Sequence, residues 1–214
     1  MSYIAERRQE EKERRRAEIL DAAEAVGAEV GWEATTMDEV ARKARLSRAL
    51  LYVYFKDKGD LLFGIAERGV FMLKQRFEEA VGRHKRGLDQ MQAIGRAYVA
   101  FSQEFPLYFD VLSRCELVPT DGEPGSNEAA VATAGEGVLG LMVATLENGI
   151  RDGSIRADIG EPSVVALVLK GFMHGVIQLS ATKSDSLARA GLDTRSLLQT
   201  ALLLATRSLA AGGV

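Results

Sequence analysis

Cysteine, proline and histidine are scarce in this sequence, and each scarcity excludes a class of protein. The single cysteine, Cys115, cannot form an internal disulfide, which excludes a secreted disulfide scaffold. Four prolines among 214 residues exclude collagen-like and proline-rich disordered chains. Two histidines and one cysteine cannot build a His/Cys metal cluster of familiar spacing, so we expect no metal site and no cofactor.

Long apolar runs are also missing. The most apolar stretch, residues 164–179, is interrupted by Lys170 and His174, and we expect it to be too short and too polar to span a bilayer. The first sixteen residues are crowded with charge and lack the apolar run of a signal peptide. Both features indicate a cytoplasmic protein that does not associate with membranes.

Helical periodicity is what the sequence does contain. Apolar residues recur at three- and four-residue steps over most of the chain, with no convincing strand, which predicts an all-α fold of about nine helices. Beyond the first 56 residues these helices are expected over about 57–84, 89–104, 106–115, 126–152, 161–181 and 193–210. Residues 6–16 are expected to form a frayed helical extension at the N-terminus, which could touch the DNA minor groove or a phosphate.

Three short helical patterns near the N-terminus are punctuated by capping residues. Gly31 ends the first, and Trp32 is expected to fold back into the core. Thr36 with Glu39 three residues later is a capping-box pattern that begins the second helix. Ser47 caps the third after a tight turn, so the three helices predict a helix-turn-helix shape.

The net charge of −3 gives no signal for binding a polyanion, but the segment from Arg42 to Lys58 does. It holds six basic residues and one acidic residue, together with the hydroxyls of Tyr52 and Tyr54. Basic and hydroxyl-bearing side chains are what docking on a DNA backbone requires. A basic cluster can equally be a solvated face, and the tyrosines can be packing residues.

The segments TTMDEVARKA (35–44), LS (46–47) and LYVYFKDK (51–58) strongly resemble the DNA-binding domain of the tetracycline-repressor (TetR) family, over about residues 14–63. The resemblance implies a DNA-binding domain at residues 1–62 and a helical effector-binding and dimerisation domain at 63–214. It also implies a homodimeric transcription regulator, usually a repressor, which a small molecule releases from a pseudo-palindromic operator in double-stranded DNA. That regulator would not be an enzyme.

Site residues follow from the resemblance position by position. It implies that Thr36, Tyr52, Tyr54 and Lys58 hold phosphates, that Ser47 lies near the backbone, and that Arg48, Ala49 and Val53 face base edges. Two positions depart from the family pattern. Arg45 stands where the turn commonly has glycine, and Leu50 stands where a threonine is common, so one hydroxyl contact is lost.

The C-terminal half offers candidates for an effector pocket and a dimer face. Apolar and polar side chains that could line a pocket are Phe101, Phe105, Tyr108, Phe109, Met142, Leu146, His174 and Gln178, although most could simply be core. Apolar residues cover more of the surface of the last two helices than packing within one bundle would bury, which predicts pairing of two copies. Their apolar make-up favours a hydrophobic effector.

Other functions find less support in the sequence. Gly135 to Gly140 spell the dinucleotide-binding glycine pattern but lack a preceding strand, and close helix packing is the preferred interpretation of these glycines. No GxSxG or HExxH motif occurs, and no catalytic residues are predicted. A helical-bundle enzyme and a purely structural helical protein are the competing hypotheses, against which the pattern around Tyr52 argues.

Overall fold

The computed structural model describes residues 3–115 and 122–212. The elements within these ranges are ten helices: α1 (Tyr3–Val30), α2 (Met37–Lys43), α3 (Arg48–Tyr54), α4 (Lys58–Gly82), α5 (Gly87–Glu104), α6 (Pro106–Cys115), α7 (Asn127–Arg151), α8 (Pro162–Thr182), α9 (Ser184–Arg189) and α10 (Thr194–Leu209). An isolated bridge joins Ile155 to Ala210, and the described part of the chain holds no strand. The all-α prediction is confirmed.

Two helices differ from the sequence expectation. Helix α9 was not predicted, because six residues are too short to show an apolar stripe and none of them is buried. The predicted N-terminal extension is continuous with the first helix, so that α1 runs over 28 residues before Gly31 ends it with a φ of 82°. The segment between the helices expected at 106–115 and 126–152 falls mostly on residues outside the described ranges.

The chain divides into two compact units, and helices α4 and α7 contribute residues to both. Unit 1 comprises Met1–Val70 and Phe105–Thr133, and unit 2 comprises Phe71–Glu104 and Ala134–Val214. The predicted division into a DNA-binding domain at 1–62 and an effector domain at 63–214 stays a prediction.

Unit 1 is built around the apolar faces of its N-terminal helices. Its fully buried side chains include Ile19, Leu20, Val40, Leu51, Phe55 and Leu61, and Trp32 is buried as expected. Around this core, the Arg68 guanidinium on α4 donates to Asp21 and Glu24 on α1, at 2.7 and 2.9 Å. Ion pairs from Arg68 therefore hold the N-terminal half of α4 against α1.

Among the described glycines, Gly87 in unit 2 lies closest to the backbone of another helix. A Cβ atom on Gly87, at the start of α5, would overlap the backbone of Gly149 on α7. The carboxylate of Asp152 accepts a hydrogen bond from the Gly87 amide at 2.7 Å, and the Ser154 hydroxyl accepts one from the Leu88 amide at 3.0 Å. The Ser154 and Gly87 hydrogen bonds lower the pKa of Asp152. Close helix packing thus occurs here, whereas Gly135 and Gly140 have open space around them.

Helices α7 and α8 are long and apolar enough to cross a membrane by length and composition alone. The expectation that residues 164–179 are too short is therefore wrong, because α8 extends over 21 residues. Core helices of soluble proteins can have the same length and hydropathy, so these two helices are weak evidence for a membrane-spanning segment. Only 22% of the apolar window of α8 is buried within the chain, which leaves a large apolar face unpartnered.

Candidate DNA interface

The helix-turn-helix of unit 1 is held by side-chain caps at both helix starts. The Thr36 hydroxyl accepts from the Glu39 amide at 3.3 Å, and the Glu39 carboxylate accepts from the Thr36 amide at 3.0 Å. The Ser47 hydroxyl accepts from the Leu50 amide at 3.2 Å. Both predicted caps are confirmed, and the hydrogen bonds from Thr36 lower the pKa of Glu39.

The turn between α2 and α3 is left-handed at Arg45. Its φ of 57° makes it the one non-glycine residue with a positive φ among those described. The Leu46 amide donates to the Ala41 carbonyl at 2.9 Å, which closes the turn. A side chain in this conformation costs about 1 kcal/mol relative to glycine. The Arg45 side chain is exposed, so its charge remains available to a phosphate that would offset this cost.

Helix α3 presents two contrasting faces. Leu51 and the capping residue Phe55 are fully buried in unit 1. Ala49, Leu50 and Val53 on the other side are exposed, and Val53 is exposed to 73%. Sequence analysis assigned Ala49 and Val53, together with Arg48, to base edges, and in the structure all three are exposed on α3.

Arg48 is tethered on this surface in the free chain. Its guanidinium pairs with the Asp38 carboxylate at 3.2 Å and lies 5.6 Å from the centre of the Tyr52 ring. The hydrogen bond to Tyr52 and the charge of Asp38 raise the pKa of Arg48. Both partners of this ion pair are exposed, so water screens their attraction. Breaking the pair therefore costs little free energy, and Arg48 is free to bind a base instead.

The side chains predicted to contact phosphates differ in their exposure and in the hydrogen bonds they already make. The Tyr52 side chain is exposed, whereas Tyr54 is half-buried. The Lys58 ammonium donates to the Glu33 carbonyl at 2.8 Å and lies 5.4 Å from the centre of the Trp32 ring. The Thr36 hydroxyl donates to Glu39. Thr36 and Lys58 would therefore meet a phosphate while also bonded within the chain.

The residues predicted for an effector pocket are divided between the two units. Phe101, Met142, Leu146 and His174 are buried in unit 2, while Gln178 is exposed there. In unit 1, Phe109 is buried, and Phe105 and Tyr108 are half-buried. Burial raises the pKa of Tyr108 to about 12, and the neighbouring Glu24 adds to this shift.

Sequence analysis missed the polar partner of His174. The Tyr98 hydroxyl lies 2.7 Å from the His174 Nδ1, and the two rings are stacked with their centres 6.3 Å apart. Phe77 packs edge-on against Tyr98. Tyr98 belongs to the apolar stripe of α5 with Met91, Ile94 and Phe101, and a buried phenol needs a hydrogen-bond partner, which was the available signal.

The alternative sites are not supported by the described residues. Residues 135–140 lie inside α7, so the glycine pattern has no strand to aim it at a phosphate. No group of three metal-ligating side chains occurs in the ranges 3–115 and 122–212. Cys115 is buried.

A family model described as bacterial regulatory proteins of the tetR family matches residues 19–65. Within that segment lie the capped helix-turn-helix and all the exposed residues of α3. This match identifies residues 19–65 as a segment similar to the DNA-binding part of tetR-family regulators. The match confirms the resemblance over this segment.

Transcription regulators are also among the relatives whose sequences match parts of the chain. The chain is 45% identical over 51 residues to the transcriptional regulator HbdR of Aromatoleum sp. (strain CIB), an alignment that covers 24% of this chain and 22% of HbdR. It is 34% identical over 104 residues to the transcriptional repressor KstR of Rhodococcus jostii (strain RHA1), covering 49% and 48%. The chain thus spans less than half the length of these two relatives.

A solved structure of FadR from Bacillus subtilis, in complex with stearoyl-CoA, has the same fold. It matches with a TM-score of 0.69 over 90% of this chain and 98% of FadR, at 18% sequence identity. The fold likeness therefore extends through both units, while the sequence likeness is concentrated in the DNA-binding segment.

Proposed function

We propose that this chain is a tetR-family regulator, a cytoplasmic homodimeric repressor that binds a pseudo-palindromic operator and leaves it when a small hydrophobic molecule binds. The observation that carries the proposal is the exposed surface of α3, in which Arg48, Ala49 and Val53 face solvent above a buried Leu51 and Phe55. A recognition helix must combine such a free outer face with a firmly packed inner one. KstR is a repressor, which supports the direction of regulation.

The proposed dimer rests on one apolar face of unit 2. On α8 the exposed residues of this face are Val164, Leu167, Val168, Phe172 and Leu179, and α10 adds Leu203 and Leu204. Gly171 and Gly175 lie in the middle of the same face with open space above them, so another helix can approach closely. Other apolar residues of α8 and α10, namely Leu169, Leu198, Ala201 and Leu209, are buried within the chain and do not belong to this face.

Mutations should separate contacts to phosphates from contacts to bases. We expect Tyr52→Phe to weaken specific and nonspecific binding alike, by about 1 kcal/mol for the lost hydroxyl. Lys58→Ala should lower the slope of log affinity against log salt concentration by roughly one unit. Arg48→Ala should relax the preference at one base position, at a cost of about 1–3 kcal/mol. Fluorescence anisotropy on operators selected from the source genome measures all three.

Val30→Ala is a suitable control for these variants, because Val30 is exposed and belongs to α1, outside the helix-turn-helix. It should leave both the affinity and the salt slope unchanged. Unchanged values for Tyr52→Phe and Lys58→Ala would contradict the assigned phosphate contacts, even if the chain binds its operator.

The proposed effector site lies among the buried residues of unit 2. Phe77, Phe101, Met142 and Leu146 provide an apolar lining, and the Tyr98–His174 pair provides polar atoms that could orient a ligand. FadR is a regulator whose structure holds stearoyl-CoA, which supports a ligand with a long apolar part. Helix α4 supplies residues to both units and is the proposed connection between the effector site and the DNA-binding surface.

An effector should stabilise the chain and weaken operator binding together. At a hundredfold excess over its dissociation constant it adds about 2.7 kcal/mol, which corresponds to roughly 5–10 °C in melting temperature. A thermal-shift screen of acyl-CoA thioesters and sterols finds candidates, and each hit is then tested for a tenfold or greater loss of operator affinity. By linkage, operator DNA must weaken ligand binding by the same factor. If every stabilising hit leaves operator affinity unchanged, the effector proposal is wrong.

A further inference from the structure

The first three turns of α1 carry a basic stripe in line with the core-facing stripe of the same helix. Positions 8, 12, 15, 19, 22 and 26 follow one another at steps of four and three residues, which places them on one face. The last three are Ile19, Ala22 and Val26, all buried in unit 1. The first three are Arg8, Lys12 and Arg15, so charge replaces the apolar stripe at the N-terminal end.

Two of the three residues of this basic stripe, Arg8 and Lys12, are exposed and not neutralised. Residues 3–14 are all exposed, so the helix extends past the packed part of unit 1. Arg15 pairs with Glu18 at 2.6 Å, but Arg8 and Lys12 make no ion pair or hydrogen bond with any residue in the described ranges. The acidic residues Glu6, Glu10 and Glu13 recur at the same spacing on the opposite face, whereas Glu11 lies beside the stripe and pairs with Arg14 at 3.8 Å.

The stripe begins next to the C-terminal end of the recognition helix. The guanidinium of Arg16 lies 5.5 Å from the centre of the ring of Phe55, the residue that caps α3. From Arg15 back to Tyr3 the helix extends by about 18 Å at 1.5 Å per residue. That length corresponds to roughly five base pairs of DNA, at 3.4 Å per phosphate along one strand.

We propose that the basic stripe Arg8, Lys12 and Arg15 binds the phosphate backbone of DNA that flanks the operator. Arg8 and Lys12 provide two cationic contacts beyond those of α3, and the acidic face points away from the DNA and limits nonspecific adhesion. This contact lengthens the segment of DNA that the protein binds. It does not depend on the DNA sequence, because the side chains contact only phosphates. This inference rests on the proposed operator binding by α3.

The test compares the double variant Arg8→Gln/Lys12→Gln with the wild-type chain on two duplexes. Both contain the operator selected from random DNA, and they extend about two or about ten base pairs beyond it on each side, which brackets the estimated reach. On the long duplex the salt slope should fall by about 1.8 units, because each lost phosphate contact removes about 0.9. The affinity ratio between 50 and 200 mM salt should then fall about tenfold. On the short duplex the variant and the wild type should agree.

The matched control is Glu6→Gln/Glu10→Gln, which alters two charges on the opposite face and should leave both slopes unchanged. Equal slopes for the basic-stripe variant and the wild type on the long duplex overturn the inference while leaving operator binding intact. A loss that is the same on both duplexes, or a change of oligomeric state in sedimentation, also overturns it, since the stripe then serves the operator itself or a second copy. If the wild type binds neither duplex, the proposed function fails as well.

Discussion

Replacing Gly87 by alanine should lower the free energy of unfolding by about 3 kcal/mol, at the upper end of the usual cost of overpacking. The new Cβ would overlap the backbone amide and Cα of Gly149 and approach the Thr145 carbonyl, and backbone atoms cannot rotate away as a side chain does. Separating the helices would also stretch the hydrogen bond from the Gly87 amide to Asp152. Urea unfolding at a fixed protomer concentration measures the change.

Gly140→Ala is the matched control for this substitution. Gly140 lies on α7, like Gly149, but nothing stands within 4 Å of a Cβ built on it. Alanine there should stabilise the chain by about 0.5–1 kcal/mol, because glycine loses more backbone entropy in a helix. Equal stabilities for Gly87→Ala and the wild type would show that α5 and α7 do not approach as closely as the structure has them.

Replacing Val168 by glutamate should separate the proposed dimer and weaken operator binding by about 10²–10⁴-fold. Val168 is 63% exposed in the middle of the apolar face of α8, so two-fold pairing would bury a carboxylate from each copy. A monomer binds only one half-site of the operator. It therefore lacks the gain in affinity that a dimer obtains from the second half-site, which is typically about 10²–10⁴-fold. Sedimentation velocity at micromolar concentration and operator titration check the two effects.

Phe71→Glu provides the comparison, because Phe71 is similarly exposed, at 61%, but lies on α4 outside this face. It should leave the oligomeric state unchanged. A Val168→Glu variant that remains dimeric would place the dimer contact elsewhere, whereas a wild type that is monomeric with and without DNA would contradict dimerisation itself.

The caps and the turn of the DNA-binding segment could be predicted from the sequence because they depend on neighbours. The Thr36–Glu39 box and the Ser47 cap join residues three positions apart, and the left-handed turn at Arg45 follows from a position that commonly holds glycine. Periodicity at three- and four-residue steps placed most of the helices for the same reason. Helix α9 escaped prediction because it is too short to have a period.

Contacts between residues distant in sequence were decided only by the tertiary structure. The Lys58 ammonium lies against the Glu33 carbonyl, and Tyr98 meets His174 across 76 positions, although neither pair leaves a local pattern. The same holds for the apolar face of unit 2. The sequence showed that α8 and α10 are apolar, but only packing decided that Leu169 and Leu198 turn inward while Val168 and Leu204 remain exposed. Local hydrogen bonds determine where a helix begins and ends. Which face of that helix is buried depends on how all the other helices pack into the core.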